Sequence, residues 1–115
     1  MNHLDIYKRC EDFSVKVIEL LEGFPYRRSV GIISDQLMRS STSVGANLNE
    51  ADNARSRKEF ISCLGISLRE IKETIYWLKI LKRTNLSYLE NITQIEGEAE
   101  QIKKILGAIF QKTTS

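Results

Sequence analysis

The sequence predicts an all-α fold, an antiparallel up-down-up-down four-helix bundle that takes residues 1–115 as a single domain. Three observations carry this expectation. Apolar residues recur at helical spacing almost throughout the chain. One proline and six glycines are far too few turn residues for an all-β domain. The 115 residues, 42% hydrophobic and 28% charged, supply enough apolar material for one core without a disulfide or metal staple, and do not resemble a disordered chain.

In the first helix, expected over 5–23, Ile6, Cys10, Phe13, Val17, Leu20 and Phe24 alternate spacings of four and three, the rhythm of a bundle helix. Gly23-Phe24-Pro25 ends it, with glycine as a C-terminal cap and proline forbidding continuation. The second helix, 27–51, carries Ile33, Leu37, Ser41, Val44, Leu48 and Ala51 on its apolar stripe. It is rich in small residues (Ser40, Ser41, Ser43, Gly45, Ala46), which let a neighbouring backbone approach closely. Residues 52–56 turn the chain, and Ser56 with Glu59 forms a capping box for the third helix, 56–84. Its stripe is Phe60, Leu64, Leu68, Ile71, Ile75 and Leu78, and Tyr76, Trp77, Ile80 and Leu81 exceed what one core face needs. After a turn at Thr84-Asn85-Leu86-Ser87, a second capping box, Ser87 with Glu90, opens the fourth helix at 87–111. That helix holds the cleanest heptad, Ile92, Ile95, Ala99, Ile102, Leu106 and Ile109, and its polar tail from Lys112 is expected to fray.

Little in the chain points to catalysis. The single histidine, His3, lies at a terminus. There is no Glu-x-x-His pair for a di-iron bundle site, no glycine-rich phosphate loop and no Gly-x-Ser-x-Gly elbow. Cys10 and Cys63 lack metal-ligand spacing and read as reduced core thiols of a cytoplasmic protein. No apolar run approaches the ~20 residues of a membrane span, and the charged N-terminus does not fit a signal peptide. The expectation is therefore a non-enzyme with no catalytic residues, no metal and no cofactor.

The charges are informative only through their arrangement, because 17 basic and 15 acidic residues leave a net charge of +2. A hairpin of the second and third helices about Asn53 brings Arg39 level with Glu70 and Glu50 near Arg57. Arg39 and Glu70 read as a buried structural ion pair that fixes register; the alternative is a carboxylate with a raised pKa. The first and third helices end at the same pole, which gathers Arg27, Arg28, Lys79, Lys82 and Arg83 against Glu19, Glu22, Asp35 and Glu90. Lys8, Arg9, Arg55, Arg57, Lys58 and Lys112 collect at the other pole among more acids. The first cluster is the candidate nucleic-acid-binding surface, and the alternative is solvated helix ends whose cations complement the dipoles. Only Tyr26 among the aromatics lies beside these charges, so binding is expected to follow phosphate charge and not base sequence.

The run Gln36-Leu-Met-Arg-Ser-Ser-Thr-Ser-Val-Gly-Ala-Asn-Leu-Asn-Glu-Ala51 resembles the signature of the bacterial four-helix bundle proteins, also called 23S ribosomal RNA intervening-sequence proteins. Ser56-Arg-Lys-Glu-Phe60, Ser67-Leu-Arg-Glu70 and Glu73-Thr-Ile-Tyr-Trp-Leu78 are similar to that family's third helix, and Phe24-Pro25 to its first loop. The resemblance is specific over 36–78 and elsewhere rests on pattern; Ser62-Cys63 departs from it where a basic residue is expected. It implies a small cytosolic bundle without established enzymatic activity, of a kind sometimes encoded inside ribosomal RNA gene insertions. A related protein is an accessory of diversity-generating retroelements that binds reverse transcriptase and nucleic acid. The resemblance also implies a ring-like homopentamer, and Arg39, Asn47, Glu50, Glu70 and Trp77 are the matching residues. Ile18, Leu21, Ile32 and Ile105, which lie off the main stripes, then join the third helix's surplus as interface candidates. In a ring each basic cluster is repeated once per subunit, which strengthens a weak patch. The alternative function is a protein-interaction scaffold, or an adaptor for a nucleic-acid enzyme such as a reverse transcriptase, without direct RNA or DNA contact.

Overall fold

A computed structural model describes residues 3–115, with side chains from Ile6 onward. It contains α1 (His3–Glu22), α2 (Arg28–Asp52), α3 (Arg57–Thr84) and α4 (Leu89–Thr114), with one 3₁₀ turn, Leu86–Tyr88, before the last helix. No strand occurs among the described residues. Every helix end lies within three residues of its expected position. Helices of 20 to 28 residues span about 30–42 Å at 1.5 Å per residue, so in a body of 44 × 23 × 21 Å all four must run along the long axis. α2 packs on α1 and α3, and α4 closes the ring against α3 and α1, giving an antiparallel four-helix bundle.

The stripes fill the centre. Phe13, Val17, Leu37, Val44, Leu64, Ile71, Leu78, Ile92, Ile102 and Leu106 are fully buried, and each contributes roughly 1.5–3 kcal/mol of apolar transfer. Leu81, expected as surplus, is core and only 1% exposed. Trp77, Leu21 and Ile105 pack partly onto the same cluster, whereas Ile32 and Tyr76 stay more than half exposed. Cys63 also departs from expectation: it is half-buried, and only Cys10 is a core thiol. Burial pushes the Cys10 thiol up to about 12, with the charge of Glu98 adding.

The small residues of α2 bring its neighbours close. Ser40, Ser41, Ser67 and Thr74 are wholly buried. Thr74 Oγ1 donates to Ser40 Oγ at 2.9 Å, and Ser67 Oγ donates to the Val44 carbonyl at 2.6 Å, so both bonds cross from α3 to α2. On the α1 side, Gly45 lies so near that a Cβ there would meet the Cys10 Cβ at 3.3 Å.

Tertiary contacts override several local signals at the helix ends. Ser56 caps α3 as expected, accepting from the Glu59 amide at 3.1 Å, but the Glu59 carboxylate accepts from the Arg55 amide instead of completing the box. Ser87 caps nothing. The Tyr88 ring instead stacks on Phe24 with centroids 4.3 Å apart, and its hydroxyl donates to the Gly23 carbonyl at 3.1 Å. That pull takes residues 86–88 into the 3₁₀ turn and starts α4 at Leu89. Gly23 ends α1 without left-handed backbone, through turn bonds from Gly23 and Phe24 to Leu20 and Leu21. The tail does not fray: α4 stays helical to Thr114, and the Arg57 guanidinium donates to the Thr113 carbonyl instead of meeting Glu50. No described helix is long and apolar enough to cross a membrane.

Candidate nucleic-acid interface

Two connections meet at the pole where α1 and α3 end. One runs from Gly23 to Arg27 and the other from Asn85 to Tyr88. Buried Asn85 ties them together. Its amide donates to the Leu81 carbonyl and to Thr84 Oγ1, both at 3.0 Å, while its Oδ1 accepts from Arg27 Nη2. The Phe24–Tyr88 stack forms a second tie. Between the connections lies a cleft of about 500 Å³, with Pro25 and Arg27 on one side and Arg83 to Tyr88 on the other. Sequence reasoning missed Asn85; its only signal is an amide residue directly after the last periodic turn of α3.

Arg27 and Arg83 therefore share one cleft. Arg28 is exposed at the first position of α2 and has no hydrogen bond or ion pair among the described residues. No side chain caps that helix, so its unsatisfied amides and positive dipole end face the same pole. Lys79 lies one turn before Arg83 on the same face of α3 and is exposed. Lys82 leaves the group, because its Nζ sits 2.5 Å from Glu96 Oε1, with both side chains largely buried. Glu19, Glu22, Asp35 and Glu90 stay exposed nearby, so the pole is cationic at the cleft and mixed around it.

At the opposite pole and along its flank, cations are more often engaged. Arg9 grips Glu98 with two bonds of 3.0 and 2.7 Å, Lys8 pairs with Asp12 at 3.3 Å, and Arg57 holds Thr113. Arg55, Lys58 and Lys112 remain exposed there.

Arg39 reaches across from α2 to α3, with Nη1 3.1 Å from Glu70 Oε2 and Nη2 bonded to Glu73. The Trp77 indole N–H donates to the same Glu73 oxygen at 2.9 Å. The expected burial of the pair is not observed: the Arg39 side chain is 51% exposed, although Glu70 is 12%. Loss of Glu70 thus leaves a hydrated guanidinium still paired with Glu73, and costs what a surface ion pair costs. The indole bond holds the Glu73 carboxyl below its ordinary range, with Arg39 assisting and partial burial opposing. Glu73 is therefore not a raised carboxyl suited to proton transfer near pH 7. No three His, Cys, Asp or Glu side chains converge on a metal position among the described residues. The His3 side chain lies outside them.

Residues 2–108 match the family described as 23S rRNA-intervening sequence protein. The fold is similar to the crystal structure of a protein of unknown function from the S23 ribosomal protein family of Bacteroides thetaiotaomicron. The TM-score is 0.84 at 35% identity, over 91% of this chain and 97% of that chain. No curated protein matches the chain.

Proposed function

The chain belongs to the 23S rRNA-intervening sequence protein family, and from that premise we propose that it is a non-enzymatic, oligomeric bundle that binds RNA or DNA through its arginine pole. The observation that carries this reading is the shared cleft of Arg27 and Arg83, with Arg28 beside it and its guanidinium unspent. Arginine forks two donors to a phosphate, and Asn85 holds Arg27 in place before any ligand arrives. Pre-ordering reduces the entropy lost on binding. The binding is to backbone phosphate, tolerant of sequence and weakened steeply by salt. Cytoplasmic action without a cofactor belongs to the same reading, supported by two free cysteines.

Self-association, as a homopentamer, completes the proposal. Exposed Ile32 and Tyr76 offer apolar surface for subunit contacts, and repetition of the pole around a ring multiplies a modest patch. The same exposed side chains favour a second reading, a protein scaffold or adaptor for a nucleic-acid enzyme.

Fluorescence anisotropy with labelled RNA and DNA over a salt series tests the choice. Arg28→Glu with Arg83→Glu disturbs no hydrogen bond among the described residues and should abolish binding with helicity intact. Arg27→Glu with Arg28→Glu should do the same while also loosening Asn85. Binding that survives both pairs, or its absence from the native protein at low salt, favours the scaffold. Light scattering that gives a 13.2 kDa monomer at micromolar concentration removes the pentamer.

A further inference from the structure

Tyr26 has no structural employment. It is 88% exposed, more than any other large apolar side chain described, and its hydroxyl bonds to no described residue. Its backbone is nevertheless held on both sides. Pro25 restricts the chain before it, and Arg27 after it is held extended as the first cap of α2 and tied to Asn85. The ring lies beside Gly31 in the first turn of α2, where a Cβ would stand 3.5 Å from Tyr26 Cε2. One edge of the ring thus lies near the glycine, and nearly all of the ring surface is open to water. Arg27 and Arg28 follow it directly, and Arg83 faces Arg27 across the cleft. Leu86, 70% exposed, lies on the Arg83 side of that cleft.

Resting on the nucleic-acid reading above, we propose that the pole takes single-stranded nucleic acid, with one unpaired base stacked on Tyr26 and the neighbouring phosphates on Arg28 and Arg83. Phosphate neutralisation alone calls for cations and gives no use to an exposed ring. A duplex buries its base faces in its own stack and cannot offer one to Tyr26, whereas a single-stranded loop or end can. Stacking is tolerant of sequence because every base has a π-face, so the site selects strandedness without selecting sequence.

The test compares an unstructured RNA single strand with an RNA duplex of equal length, by anisotropy at one low salt concentration. The native protein should prefer the single strand. Tyr26→Ala should weaken single-strand binding by about tenfold, the order expected for loss of one base–aromatic stack. It should leave duplex binding and the salt slope unchanged. Tyr26→Trp should keep the native preference, and Arg28→Glu with Arg83→Glu should weaken both probes. If Tyr26→Ala is silent while the arginine pair abolishes binding, stacking is refuted and the phosphate reading stands. A native protein that binds neither probe refutes both readings. Equal weakening of both probes, accompanied by a smaller particle in light scattering, assigns Tyr26 to a subunit contact and overturns the proposal.

Discussion

Along the α2–α3 seam the helices meet through Ser40, Ser67 and Thr74, and two hydroxyl bonds cross between them. Along the α1–α4 seam longer side chains meet and leave a groove of about 360 Å³, bordered by Lys16, Glu19, Gln94 and Glu98 among others. The Arg9–Glu98 pair bridges that second seam. Small hydroxyl residues give up apolar area and gain proximity and direction, so register follows from short, buried bonds. Long side chains leave the helices further apart, and register then leans on a partly exposed charge pair.

The contrast breaks most readily by adding bulk. Ser67→Leu has no space beside the Val44 carbonyl and should cost about 3 kcal/mol through overpacking. Gln94→Leu, which enlarges an exposed groove residue, should stay within about 0.5 kcal/mol. Urea unfolding measures both, and equal costs would remove the distinction between the seams.

Salt separates the seams next. Arg9→Ala removes a bidentate pair with side chains 31% and 27% exposed, and should cost roughly 1–2 kcal/mol at low salt, less as sodium chloride rises. Thr74→Val removes a buried hydroxyl bond and should cost about 1 kcal/mol at every ionic strength.

Glycines sharpen the comparison at a smaller scale. Gly97 and Gly107 on α4 have open space where a Cβ would go, so alanine at either should stabilise by about 0.5–1 kcal/mol. Gly45→Ala should not, because the Cys10 Cβ stands only 3.3 Å from the new atom. Thermal melts of the three variants decide this.

Titration has the least effect near neutral pH and acts at opposite ends of the scale. Glu73, on α2–α3, ionises more readily folded than unfolded. Its contribution is complete above the ordinary glutamate value of about 4.3 and disappears as acid protonates the folded carboxylate. Cys10, whose thiol is pushed up by burial and then by Glu98 of α4, keeps its proton in the folded state to about 12. The unfolded thiol loses its proton from about pH 8.5. Stability from this group is therefore complete below that value and falls as pH rises toward 12. Denaturant midpoints of the native protein and Cys10→Ala, measured across that window, should converge as pH increases.

The helices were legible because Phe13, Leu37, Ile71 and Ile102 lie on unbroken stripes whose period needs no tertiary information. The Arg39–Glu70 contact was legible because hairpin counting places residues level, but counting says nothing about depth, and Glu73 and Trp77 enter from the next turn. At the arginine pole the sequence identified which cations share an end of the bundle. It did not identify Asn85 as the anchor, which depends on how the two connections meet, or Glu96 as the partner of Lys82, which depends on the rotation of α4 against α3. Ser87 misled for a similar reason: a favourable local cap lost to the stack of Tyr88 on Phe24.

The common direction of the helices along the 44 Å axis has a spectroscopic consequence. Helical amide N–H bonds lie nearly parallel to the helix axis, so almost every one in this protein points up or down the same line. A dipolar coupling does not distinguish up from down. In a weakly aligning medium, couplings from α1, α2, α3 and α4 should gather at one sign and nearly one magnitude. The departures come from three short stretches: 23–27, 53–56 and 85–88. All three cap the rod, and the pair 23–27 and 85–88 frames the arginine cleft. A ligand that seats there moves the few couplings that stand apart, while the helical majority serves as an internal reference for the alignment itself.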